Sequence, residues 1–301
     1  MKIASTCATD TRNSSSLKLL PTLLLAVIGA LYGAAPASAA PILAADLASF
    51  AVLGATGVTN VPISTIGGNL GSAPTPSVGG GYIFTSGSLQ PNTALAQQAQ
   101  LDLDAAIGTL SAFGVGTTIT NGDLDVFQSS QGGVIIPGTY TVPASIVNLA
   151  GGLVLDGGGS NSAVWVFQFP STLITSTTST VTVQNVGDGA NVGLYWNVHS
   201  AATLNGPSFA GNVLAHDLIS SDGNLTVDCG RLLSATSQVT LIQDKISITG
   251  CAGSSGGFDQ GVYIGSGGTG GSNGQVVPEP ATLALLGLGL ATLGFARRRH
   301  G

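Results

Sequence analysis

Residues 189–235 read GANVGLYWNVHSAATLNGPSFAGNVLAHDLISSDGNLTVDCGRLLSA, and no other stretch limits the fold as tightly. Short apolar runs recur at Leu194–Val198, Ala202–Leu204, Asn212–Ala215, Leu218–Ile219, Leu225–Val227 and Arg231–Leu233, each set off by Gly, Ser, Asn or Asp. None is long enough for a helix, and each has strand composition. The runs also repeat. Gly211–Ala215 (GNVLA) is echoed by Gly230–Ala235 (GRLLSA), and Asn224–Val227 (NLTV) is echoed by Lys245–Ile248 (KISI). Both echoes follow at nearly the same interval. A period of roughly 20 residues carrying about three short strands predicts a β-solenoid.

Charge narrows the partners. Between residues 40 and 277 the bases are Arg231 and Lys245, against twelve Asp and no Glu, a formal charge of −10. No basic stripe exists to neutralise phosphates, which excludes a nucleic-acid partner. A polyanionic substrate is repelled as well. The exterior must be built from Ser, Thr, Asn, Gln and Gly, and the 45 glycines suit tight solenoid corners.

The two ends read as addresses. Residues 1–39 hold Arg12 and Lys18, the apolar stretch Leu19–Leu31 and the small residues Ala37-Ser38-Ala39, the layout of a cleaved secretory signal. The alternative is an uncleaved anchor, for which the apolar run is short. The long Ser/Thr-rich lead-in leaves the true start codon open. Residues 277–301 contain Pro278-Glu279-Pro280, the uncharged run Ala281–Ala296, and Arg297, Arg298 and Arg299. An apolar run of this length with Arg on one side can span a thin bilayer and stop there. This tail resembles the PEP-CTERM sorting signal. That resemblance implies a Gram-negative bacterium, transient anchoring in the inner membrane, removal of the tail by an exosortase, and release to the cell surface or beyond. A plain C-terminal anchor is the alternative. Residues 252–276, dominated by Gly and Ser, read as a flexible tether.

Between the ends, residues 40–251 read as one β-rich domain with one interruption. Leu95, Ala99, Leu103, Ala106, Ile107 and Leu110 recur at three- and four-residue steps and predict a helix over about 93–112. Asn92 or Thr93 can cap its start and Gly114 its end. Residues 117–250 return to short β runs. Cys229 and Cys251 remain once the leader with Cys7 is removed. An even pair about one rung apart in an exported chain suits a disulfide, two separate thiols being the alternative.

Several pieces carry a family resemblance: Phe50–Asn60 (FAVLGATGVTN), Ile66–Gly71 (IGGNLG), Ala163–Leu173 (AVWVFQFPSTL), Ala190–Leu204, Phe209–Ala215, Gly230–Ala235 and Val239–Ile248. In this order and spacing they resemble the ice-binding-protein-like (DUF3494) family, over roughly residues 43–251. The resemblance implies an all-β-dominated fold: a right-handed, discontinuous β-solenoid with one long α-helix packed alongside, the N-terminal strands completing it from the far side of the helix.

Catalysis finds little support. His199 and His216 lack a partner motif and read as surface or corner imidazoles. Gly270–Gly274 matches G-x-S-x-G but lies in the tether without a strand or helix around it. Asp123 and Asp125 complete no calcium loop, and no Cys-x-x-Cys supports zinc. Trp165, Tyr195 and Trp196 sit in strand runs and read as packing rather than a sugar platform. Polysaccharide lyases share parallel β-helices, but their acidic substrates need more cations than two. The expectation is therefore no catalytic residue, no metal and no cofactor.

The resemblance instead implies a monomer that binds ice or an ordered water surface. Leu204, Ile219 and Leu241 are predicted to point inward, so Thr203, Ser220 and Thr240 face outward about one rung apart. Thr56-Gly57-Val58-Thr59 resembles the T-G-x-T element of some family ice sites, adding Thr56 and Thr59. The column mixes Thr with Ser, and Asp217 and Asp222 lie nearby; Thr and Ser are also ordinary β-favouring surface residues. The second reading is a structural or adhesive protein of an exopolysaccharide matrix, to which the tail points whatever the climate.

Overall fold

In Gln238–Ile242 the residues Val239 and Leu241 are buried while Gln238, Thr240 and Ile242 are partly exposed. Such period-two alternation forces an extended strand with one face on the core. The computed structural model describes residues 41–189, 191–249 and 258–259. Within them, runs like this assemble into a 14-stranded and a five-stranded sheet. The strands pair in parallel throughout, as in Tyr195 with Asn212, Val213 with Leu232 and Ser220 with Thr240. The steps between these partners are nearly equal and match the period seen in the sequence. Upstream the repeat lengthens by roughly half: Trp165 pairs with Leu194 and Thr180 with Ser208.

One expected register is corrected. Lys245 pairs with Thr226 rather than Asn224, and Ile246 with Val227. A slip of two leaves every side chain on its own face, because the side-chain period is two. The in–out assignment therefore survives. The chain's N-terminal strands add beside its C-terminal ones: Val52 pairs with Leu232, Thr59 with Thr240, and Thr65 with Lys245.

Parallel register puts equivalent residues above one another at strand spacing, which makes rings stack. Tyr140, Phe167 and Trp196 form such a column inside the fold, with successive centroids 5.4 and 4.5 Å apart, and Phe209, from a position out of that register, packs tilted on Trp196 at 4.8 Å. Trp165 and Trp196 are fully buried. Their indole N–H groups donate to the carbonyls of Ile135 and Ala210 at 3.1 and 2.9 Å. Tyr195 is buried too, on the other side of its strand, so none of the three offers a platform to solvent.

Three α-helices accompany the sheets among the described residues: α1 (Ala45–Ala48), α2 (Ala94–Ser111) and α3 (Leu124–Ser130). The expected long helix is α2. Thr93 caps it, its hydroxyl accepting from the Ala96 amide at 3.2 Å. Gly114, at φ 78°, ends the segment in a conformation that glycine adopts without a Cβ clash. Ala96, Ala99, Leu103, Ala106 and Leu110 form its buried stripe and pack on Phe50, Leu53, Val166, Tyr195, Leu214 and Leu233. The short α3 departs from the expected run of β segments. So short a helix shows no helical period. What holds α3 is Asp123, which accepts from the Val126 amide at 2.9 Å, and the docking of Asp125 on the amides of Ala150 and Gly151.

Candidate functional site, a hydroxyl-bearing sheet face

The five-stranded sheet runs in the order Leu173–Ile174, Ala202–Leu204, Ile219–Ser221, Gln238–Ile242 and Gly57–Val61. Inward residues anchor it: Leu173, Ala202, Leu204, Ile219, Val239, Leu241 and Val58 are all fully buried. The alternate positions therefore face out. They fall into one in-register row, Ile174–Thr203–Ser220–Thr240–Thr59. At a strand spacing of about 4.8 Å, this row is about 19 Å long. The hydroxyls of Thr59 and Thr240 hydrogen-bond at 3.0 Å, which limits the rotation of both.

Four of the five residues expected on this face thus lie in one row. Thr56 is exposed but sits just before the strand Gly57–Val61, its amide donating to Ser237 O at 3.1 Å. Gly57 is needed there: a Cβ would come within 3.0 Å of the Ser77 carbonyl oxygen, which accepts from the Val58 amide.

The row itself is uncharged; Asp222, two positions beyond Ser220, is exposed at its edge, while Asp217 and Asp244 are tied down at its corners. Asp217 accepts from Ser200 Oγ at 3.2 Å and lies 2.9 Å from His216 Nδ1. The His216 contact, with smaller help from Ser200 and Thr236, holds its carboxyl below the usual range. Asp244 is buried under the far corner, accepting from Ser221 Oγ and from the amides of Leu225 and Ile242. Burial pushes its carboxyl above the usual range despite those bonds. His199 and His216 are exposed, each with its backbone amide donating to the neighbouring strand segment, at Phe169 O and Val198 O.

A second row went unnoticed in the sequence. On the adjoining sheet Gly152, Thr180, Ser208, Thr226, Lys245, Thr65 and Ile83 pair in series. It is longer and also rich in hydroxyls, but Lys245 stands within it, and Asp228 lies two positions from Thr226 on the same strand. The signal existed in the alternation of Thr180–Gln184 and Thr226–Asp228. What hid it was the longer step from Thr180 to Ser208, unlike the shorter period downstream.

Cys229 is buried and disulfide-bonded; Cys251 lies outside the described residues, as do the leader, Pro278–Pro280 and Arg297–Arg299. Among the described residues no three His, Cys, Asp or Glu side chains are grouped to hold a metal, and no helix is long and apolar enough to cross a membrane.

Known proteins resemble this chain in sequence and in fold. Residues 52–247 match the ice-binding-like family, and residues 276–299 match the PEP-CTERM protein-sorting motif. An ice-binding protein of Nostoc sp. (strain HG1) is 34% identical over 288 residues, covering 92% of this chain and 95% of its own. One from Flavobacterium frigoris is 27% identical, covering 67% of this chain and 74% of its own. Two crystal structures superpose. The ice-binding protein of the Antarctic ascomycete Antarctomyces psychrotrophicus has a TM-score of 0.59 at 29% identity, covering 71% of this chain and all of its own. An ice-binding protein from an Antarctic biological consortium scores 0.57 at 29% identity, covering 69% of this chain and 91% of its own.

Proposed function

The chain belongs to the ice-binding-like family, and from that premise we propose that its exported domain binds ice through the row Thr203–Ser220–Thr240–Thr59. The observation that carries the choice of face is the register: four hydroxyl residues aligned on a sheet that bears no charge. Thr hydroxyls hydrogen-bond surface water and Thr methyls restrict it. Parallel strands repeat that pattern at fixed spacing, so water on the face is held in a lattice. Charged side chains hydrate more strongly and would disturb it. Each contact contributes little; the row acts because its contacts are simultaneous. The adjoining row carries Lys245 and fits this role less well.

In this reading the parallel sheets wind as a right-handed, discontinuous β-solenoid, closed where the strands at Thr59 and Thr65 meet those at Thr240 and Lys245. The domain works as a monomer and without catalysis. The match at 276–299 marks the chain for exosortase-dependent sorting and export to the surface or beyond. The tail passes through the inner membrane before it is cut at Pro278–Pro280. That same match favours a second reading, a matrix protein that meets exopolysaccharide. Thermal-hysteresis and recrystallisation assays on residues 40–275 separate the two. Ice activity is expected; inactivity in both assays at high concentration leaves the matrix reading.

A further inference from the structure

Arg231 is fully buried, and its partners come from three distant parts of the chain. Nη1 donates to Asn212 Oδ1 at 2.8 Å, in the neighbouring strand. Nε and Nη2 donate to the carbonyl of Ala48, at the end of α1, at 3.1 and 2.5 Å. Nη2 also pairs with Asp259 Oδ2 at 3.1 Å, beyond the last strand of the domain. Asp259 is 5% exposed, as is Phe258 beside it. The Phe258 carbonyl accepts from the Leu194 amide at 3.0 Å and from Asn212 Nδ2 at 2.9 Å. Gly193 and Asp259 form an antiparallel bridge, against the parallel pairing everywhere else among the described residues.

This docking is not what the local composition predicts. Asp259 is the one charged residue in the Gly/Ser-rich stretch 252–276, and it is spent inside the fold. The docking place is also unexpected. In sheet order, Gly193–Val198 lies three strands from Lys245–Ser247, the last strand among the described residues, about 14 Å away. Ten residues separate Ser247 from Phe258 in the sequence, and since a chain extends up to about 3.4 Å per residue that distance is within reach.

We propose that Phe258 and Asp259 form a latch that makes the two ends of the domain open and close together, with Arg231 as their shared post. A guanidinium taken out of water needs a counter-charge and filled donor positions. Asp259 supplies the charge; Ala48 and Asn212 take up further donors. If the latch releases, the guanidinium loses this carboxylate and must move towards water. That movement takes its bonds away from Ala48, so α1 loosens as well. The coupling runs in reverse too, because loss of α1 leaves the buried pair short of one acceptor. The latch is independent of the hydroxyl face: it does not depend on what the domain binds.

The test is native-state hydrogen exchange on the exported chain in increasing sub-denaturing urea. The Leu194 amide and the segment 45–50 should open as one cooperative unit, with the same urea dependence. In Asp259→Asn both should exchange at least tenfold faster, while Val239 and Leu241 keep their protection. Chymotrypsin provides an arm that needs no variant and no fold change: Phe258 in the wild type should resist cleavage when Tyr263 is cut. Phe258→Ala provides a second variant that keeps the ion pair intact, and it too should speed exchange in 45–50. Rapid cleavage at Phe258 would overturn the latch. Faster exchange confined to Leu194 in both variants, or different urea dependences for the two wild-type segments, would overturn the coupling.

Discussion

Thr240 and Leu241 are adjacent in the chain and point to opposite sides of one strand. Substitutions at neighbouring positions should therefore fail in different ways. Thr203→Tyr or Thr240→Tyr adds a ring above the row and lifts it from the ice lattice. Most thermal hysteresis should be lost, while urea denaturation shows stability within about 0.5 kcal/mol of the wild type. Leu204→Ala removes a fully buried side chain and should cost about 2–5 kcal/mol in the same denaturation. Thr226→Tyr, on the adjoining row, should keep full activity; if it alone abolishes activity, the adjoining row is the ice face.

Titration belongs to this scale as well. Tyr82 and Tyr140 are both pushed up to about 12 by burial. Tyr140 donates to Ile136 O at 2.7 Å, whereas the Tyr82 hydroxyl is buried without a partner. A phenol whose ionisation is raised in the fold contributes stability that is complete below its ordinary value near 10. That stability is lost as pH rises through about 12. Melting temperature should hold up to about pH 10 and fall above it, and Tyr140→Phe should flatten that fall. Absorbance titration of the folded chain should find these two phenols ionising late.

At the scale of elements, legibility tracked length and period. The helix α2 spans 18 residues, and its apolar steps and cap were readable. Thr93→Ala should cost about 1 kcal/mol, seen as a lower melting temperature, because the Ala96 amide loses its acceptor. The helix α3 has 7 residues, too few to show a period, and its anchors at Ala150 and Gly151 are remote from Asp125 in the chain. Strand registers were readable only to within a slip of two, as at Lys245. Corners set the rest: at Gly230 a Cβ would stand 2.0 Å from the Gly211 carbonyl oxygen, so the bend of that long strand needs glycine.

For the whole molecule, processing and covalent closure are read by mass and by thiol labelling. Intact mass of the protein recovered from its native host should show loss near Ala39 and near Pro278–Pro280. A mature species that keeps Arg297–Arg299 would leave a plain anchor instead of a sorting signal. Thiol labelling of the same folded, unreduced protein should find neither Cys229 nor Cys251 free, as their proposed bond requires.

What the sequence determined by itself was local or periodic: short strands, the side of each strand that each residue takes, one amphipathic helix, an exterior almost without bases and a sorting motif at the C-terminal end. These follow from the two-residue period of a strand, the roughly 3.6-residue period of a helix and composition, none of which needs a distant partner. Tertiary structure decided the rest. Thr59 lies beside Thr240 from the opposite end of the domain, a pairing that completes the hydroxyl row and that no local pattern encodes. Arg231 meets Ala48 and Asp259, from opposite ends of the domain, and that meeting buries an ion pair. Such contacts exist only once the sheets have closed, because closure brings their partners together and removes the water that a lone guanidinium would otherwise keep.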